Sequence, residues 1–216
     1  MGKLNEGILG GFMGTVGTVI VSVTKRGDDL MRVKSNRPRT SNSELQLEQR
    51  AKFKLVANSI HPLNLLLKNG LKLVAGELMS PYNFACQHAL TEAITGVYPD
   101  FELDYSKVQL SVGPLSRLTD TSFELANKSV NFHWEDNSDT SYAHPTDKAV
   151  LLVYNANNYQ LSYTIGVATR ELKGGVLPLP NATAGDKMVI FMFFQSPDDP
   201  DVVSTSQYIG STTVTE

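Results

Sequence analysis

Residues 129–135 read Ser-Val-Asn-Phe-His-Trp-Glu. Val130, Phe132 and Trp134 fall on one side of an extended chain, and Asn131, His133 and Glu135 on the other. That period of two is what a strand with one buried face requires. The ring of Trp134, the single tryptophan, belongs in a core, and His133 should face outward. The same grammar continues on both sides of this stretch. Candidate strands are Phe101–Tyr105, Val108–Val112, Ala149–Tyr154, Gln160–Ala168, Gly174–Leu179, Lys187–Gln195 and Val202–Gly210. Turns such as Asp136-Asn137-Ser138-Asp139 and Pro197-Asp198-Asp199-Pro200 separate them. Short strands at this density predict an immunoglobulin- or fibronectin-like β-sandwich over residues 97–216. The only cysteine is Cys86, so it would not be a disulfide-bonded immunoglobulin domain.

Moving toward the N-terminus, the pattern turns helical. Ser41 and Glu44 stand at capping-box spacing, and a helix should run from there to about His61-Pro62. Pro62 suits the first turn of a second helix, Leu63 to about Val74. Ser80-Pro81 opens a third, which Gly96 would close. Cys86 lies in that helix, most simply as a small buried apolar group. Ahead of the helices, residues 7–24 read GILGGFMGTVGTVIVSVT, uncharged and punctuated by glycine. Val16 to Val23 consists of strand-favouring residues. Lys25 to Asp29 makes a turn, and Leu30 to Lys34 a returning strand. The expected architecture is therefore α+β: an N-terminal β-hairpin with a three-helix module over residues 1–96, then the sandwich.

The uncharged run at 8–23 is shorter than the ~20 residues that span a bilayer, and no small-x-small cleavage site ends it. Neither a stable membrane span nor a signal peptide is expected. The protein is made in the cytoplasm on this reading, and a cell-surface or virus-like-particle destination stays open. Net charge is −3 but uneven. Residues 1–72 hold 12 Lys or Arg against 5 Asp or Glu, a balance of +7, and residues 73–216 hold 7 against 17, a balance of −10. One molecule's basic end can therefore approach another's acidic body, within the reach that salt allows.

Several motifs together resemble one known family. They are GGFMGTVGTVI, DLMRVKSNRPRTSNSELQLEQRAKF, ITGVYPDFELDYSKVQLSVG, NFHWEDNS with TDKAVLLVYN, and QYIG. In combination they resemble the Bacteroidota group catalogued as domain of unknown function 6266, over essentially the whole chain. The most specific part is R-x-x-x-x-R-P-x-T followed by Q-R-x-x-F, here Arg32, Arg37, Pro38, Thr40, Gln49, Arg50 and Phe53. Members of that group usually carry Trp-Lys-Gly ahead of the first arginine, whereas this chain has Thr24-Lys25-Arg26-Gly27. The resemblance implies a length and an order of elements, and no activity.

Converging chemistry is hard to find in the sequence. His61, His88, His133 and His144 are scattered, and Cys86 and His88 would point to different sides of a helix. Glycines at 11, 14 and 17 enter a strand rather than joining a strand to a helix N-terminus, so they do not read as a phosphate loop. Asp136, Asp139, Asp198, Asp199 and Asp201 read as solvated turns without calcium-loop spacing. The basic stretch, from Lys25 to Lys54, could touch phosphates, but Phe53 is its one aromatic and acids interrupt it.

These features predict a non-enzymatic structural protein that self-associates into a ring, tube, fibre or shell, with no cofactor and no metal. Gly11, Gly14, Gly17, Val19, Val21, Arg32, Arg37, Arg39 and Arg50 are the expected interface. Glycines let a neighbouring backbone approach, an exposed strand is a template for another strand, and arginines pair with carboxylates in bidentate geometry. The alternatives are a module that binds a glycan or protein through sandwich loops, and a nucleic-acid packaging protein, which the sparse aromatics disfavour.

Overall fold

The glycine-rich start does not form one long strand. In the computed structural model, which describes residues 3–4, 12–24, 27–35, 43–126, 128–138 and 142–214, it turns back at Gly17-Thr18. Gly17 takes a left-handed φ of 58°, which a valine there would resist. The result is an antiparallel four-stranded sheet, Lys3–Leu4 (β1), Phe12–Val16 (β2), Val19–Val23 (β3) and Asp29–Val33 (β4), in that spatial order. The returning strand is present and begins at Asp29, while Lys25 and Arg26 of the expected turn lie outside the described residues. The expected continuous strand from Val16 to Val23 is replaced by a second hairpin. This sheet belongs to the first of two compact units, residues 1–43, and the second unit is residues 44–216.

The second unit begins with helix Glu44–Ile60 (α1), a 3₁₀ turn at His61–Leu63, and helices Asn64–Gly70 (α2) and Lys72–Ala75 (α3). The residue proposed to cap α1, Ser41, lies outside the described residues. Ser80 caps helix Pro81–His88 (α4) by accepting a hydrogen bond from the Asn83 amide at 3.2 Å. A π-helical turn, Ala89–Ala93, ends that helix before Gly96. Gly96 instead sits in a hairpin, Ile94–Val97 (β5) with Asp100–Leu103 (β6), where its φ is 86° and a Cβ would lie 2.4 Å from the Asp100 carbonyl.

The remaining strands are Thr119–Ala126 (β7), Ser129–Glu135 (β8), Lys148–Asn155 (β9), Leu161–Thr169 (β10), Gly174–Pro178 (β11), Lys187–Gln195 (β12) and Gln207–Thr213 (β13). They form a four-stranded sheet, β10-β9-β12-β13, and a three-stranded sheet, β11-β8-β7. Residues 108–112 are not a strand. The Ser206 hydroxyl accepts from the amides of Leu110 and Ser111 there, in place of a ladder. Strand β13 starts later than expected, after bridges at Val203 and Ser204. Strand β7 was not expected because its apolar side chains are only Phe123, Leu125 and Ala126, the composition of an edge.

Strands β9 and β12 are apolar on both sides and need cover on both. Val150, Leu152, Tyr154, Val189, Phe191 and Phe193 share one buried cluster with Val56, Ile60, Leu66 and Leu67 of the helices. Leu151, Val153, Ile190, Met192 and Phe194 share the other with Val130, Phe132 and Trp134 of β8 and Leu177 of β11. The four-stranded sheet thus lies between helices and the smaller sheet. Because helices and sheet share one core, the expected 96/97 boundary falls inside the second unit, and the division comes after Ser43.

Candidate assembly surface

Residues directly opposite in antiparallel strands project to the same face. In the N-terminal sheet Val19 pairs with Val16 and Val33, Val21 with Gly14 and Met31, and Val23 with Asp29. One face therefore carries Val16, Val19, Val21, Val23, Met31 and Val33, with Asp29 as its one charge. Gly14 lies opposite Val21 and keeps that row flat. Val21 is 4 % exposed, while Val16, Met31 and Val33 are 55 %, 66 % and 74 % exposed. The other face is mixed, with Arg32 opposite Ile20 and Leu30 opposite Ser22.

Of the expected interface residues, Gly14, Gly17, Val19, Val21 and Arg32 are together in this sheet. Arg50 is exposed on α1, in the second unit. Gly11, Arg37 and Arg39 lie outside the described residues. Part of the basic stretch is engaged locally: Lys52 pairs with Glu48 at 2.7 Å and stands 5.0 Å over the Phe101 ring.

Cys86 is buried next to Tyr82, and burial pushes its thiol pKa up, the direction of an inert thiol. Burial, with a hydrogen bond to Cys86, pushes the Tyr82 hydroxyl up to about 12. Among the described residues no group of three or more His, Cys, Asp or Glu is placed to hold a metal ion, and no helix is long and apolar enough to cross a membrane. His133 faces outward as its alternation predicts. The aspartates at 198–201 serve their turn: Asp199 accepts from the Asp201 amide at 2.9 Å, and Asp201 pairs with Lys72.

Sequence reasoning missed the most concentrated polar site of the second unit. Arg170 and Asp147 are both fully buried, joined from Arg170 Nη2 and Nε to Asp147 Oδ2 at 2.9 and 3.2 Å. Arg170 also donates to Asn137 and to the Ser116 carbonyl, and its guanidinium lies 3.9 Å from the Phe194 ring centre. The Trp134 indole donates to the Arg170 carbonyl at 2.9 Å. Desolvation lowers the Arg170 pKa, opposed by Asp147. With no exposure on either partner, this group ties three loops to the core and meets no solvent-borne molecule. Nothing in the run Thr169-Arg170-Glu171-Leu172 marks it, since no periodicity distinguishes a buried arginine from a surface one.

These features define a mixed α+β protein, mainly β-sheet, that displays apolar residues on an N-terminal sheet. The chain belongs to a family of unknown function, DUF6266, whose model matches residues 11–210 and so includes strands from both units. No curated protein matches it.

Proposed function

We propose that this protein is a non-enzymatic structural subunit that self-associates through its N-terminal sheet. The observation that carries the reading is the apolar face of β2, β3 and β4, with Val16 and Val33 exposed on either side of Val19 and Met31 exposed next to the buried Val21. A contiguous exposed apolar patch marks an interaction site. A head-to-tail contact of unlike surfaces closes into a ring or runs on as a filament. The proposal extends to the fold: the β11-β8-β7 sheet facing the four-stranded sheet is read as an immunoglobulin/fibronectin-like sandwich, supported by the core that joins Trp134 to Phe194.

Size exclusion with light scattering, followed by negative-stain imaging, tests the assembly. The full chain should give discrete large particles or filaments that grow with concentration, and M31K/V33K should be a monomer. A wild-type monomer at every concentration overturns the reading.

A second reading is a module that binds a glycan or protein segment. It is favoured by a groove of about 560 Å³ lined by residues that include His88, Glu92, Lys107, Arg117 and Tyr208. That reading predicts a monomer with a saturable ligand.

A further inference from the structure

An exposed strand in the N-terminal sheet needs an acceptor edge on a second copy. Among the described residues, strand β10 is the edge of the four-stranded sheet, pairing with β9 alone. Its neighbour β9 is buried almost throughout, whereas β10 is half-buried or exposed at every residue but Ala168. Tyr163 lies opposite Leu152 and Ile165 opposite Val150, so both project to the side the helices cover. The cover stops short of them. Tyr163 and Ile165 remain 36 % and 43 % exposed. Between them and the helices runs a groove of about 340 Å³ lined by Leu65, Leu66, Lys68, Val150, Ile165 and Phe193. Regular pairing of β10 with β9 covers Leu161–Ile165 and breaks at Gly166, which takes a φ of 75°.

Strand β4 is the complementary edge. Among the described residues it pairs with β3 alone, is five residues long, and is exposed throughout. Charge favours a meeting between copies. Residues 1–43 hold 7 Lys or Arg against 3 Asp or Glu (+4), and residues 44–216 hold 12 against 19 (−7).

We propose that β4 of one copy adds antiparallel to the β10 edge of a second copy, with Val33 opposite Leu161, Met31 opposite Tyr163 and Asp29 opposite Ile165. This rests on the self-association reading and specifies its acceptor. In this register Met31 and Val33 project to the groove side, extending the apolar floor begun by Tyr163 and Ile165. Asp29 arrives opposite Ile165, which lines the groove together with Lys68, so its carboxylate gains a cationic neighbour. Arg32 projects to the opposite face, beside Ser162 and Thr164. The main-chain hydrogen bonds of both open edges are satisfied in one step, as in other strand additions.

Two experiments on full-length protein decide it. In the first, M31C and Y163C preparations are mixed and oxidised. Opposed residues of an antiparallel pair have Cα atoms about 4.5–5.5 Å apart, within disulfide reach. The expected product is a mixed M31C–Y163C dimer exceeding either homodimer, and M31C/Y163C in one chain should give a ladder of multimers. Absence of the mixed disulfide, or a disulfide closing within single chains, overturns the proposal. In the second, Y163K/I165K should raise the concentration for half-assembly by about 10-fold or more, the effect of roughly 1.4 kcal/mol, with an unchanged melting temperature. If Y163K/I165K assembles like wild type while M31K/V33K does not, β10 is not the acceptor and the N-terminal sheet keeps its role. If wild type never assembles, both ideas fail together.

Discussion

The N-terminal sheet and the central sheet of the second unit are built from the same residue types and treat them in opposite ways. Strands β9 and β12 place Val, Leu, Ile, Met and Phe between two layers, and nearly every one is buried. Strands β3 and β4 carry Val, Leu and Met too, yet leave most of them exposed. Propensity alone makes both into strands. What separates them is cover: the second unit supplies helices on one face and a second sheet on the other, whereas the 43-residue first unit stands close to the ~40 residues below which a chain usually needs outside help to stay folded. The apolar face of its sheet stays exposed at Val16, Val23, Met31 and Val33.

The largest effect is expected at Arg170, in the core of the second unit. Arg170→Ala should cost about 3–5 kcal/mol in denaturant unfolding of the second unit, because it strands the buried Asp147 carboxylate. A loss below ~1 kcal/mol, the worth of an exposed pair, would mean the pair is solvated in solution. Next comes a matched pair of truncations. Leu152→Ala removes a fully buried side chain and should cost about 2–5 kcal/mol. Val33→Ala, at an exposed site, should stay within ~0.5 kcal/mol for the dilute monomer. Equal losses would show that β4 is covered within the chain.

Gly113→Ala is a smaller test of the same close packing. Its Cβ would sit 2.2 Å from the Val203 carbonyl oxygen, and overpacking of that kind costs about 1–3 kcal/mol. Alkaline pH should separate the two units without mutation. Cys86 and all the tyrosines lie in residues 44–216. Cys86, Tyr82, Tyr105 and Tyr154 have raised pKa values, chiefly from burial. Groups held above their unfolded values keep their stabilising effect below the unfolded pKa, about 8.5 for cysteine and about 10 for tyrosine. They lose it as pH rises through the folded values. The melting temperature of the second unit should therefore be flat to about pH 8.5 and fall from there to about pH 12, with tyrosinate absorbance rising alongside. A flat profile to pH 12 would mean these groups are solvated.

Legibility followed the range of the signal. Strands β8 and β12 were placed with their ends because alternation or a continuous apolar run is local. The Ser80 cap was legible for the same reason. The turn at Gly17 was misjudged because glycine permits an extended or a left-handed backbone, and pairing partners made the choice. Strand β7 and residues 108–112 went the other way: the first is a polar edge held by β8, the second an apolar segment held by Ser206. Arg170 gave no sign at all. Its partners Asp147, Asn137 and Phe194 come from three separate stretches of chain.

The α+β composition, the coarse succession of strands, helices and strands, the outward His133 and inward Trp134, and the charge asymmetry are all legible in the sequence. These follow from period, capping and counting, which act within a few residues. Tertiary packing is what makes helices and sheet share one core, closes it with a buried ion pair, and leaves Val23, Met31 and Val33 without the cover that Val21 has. Burial is a property of what lies across from a residue, and the residues that lie across are distant in the chain.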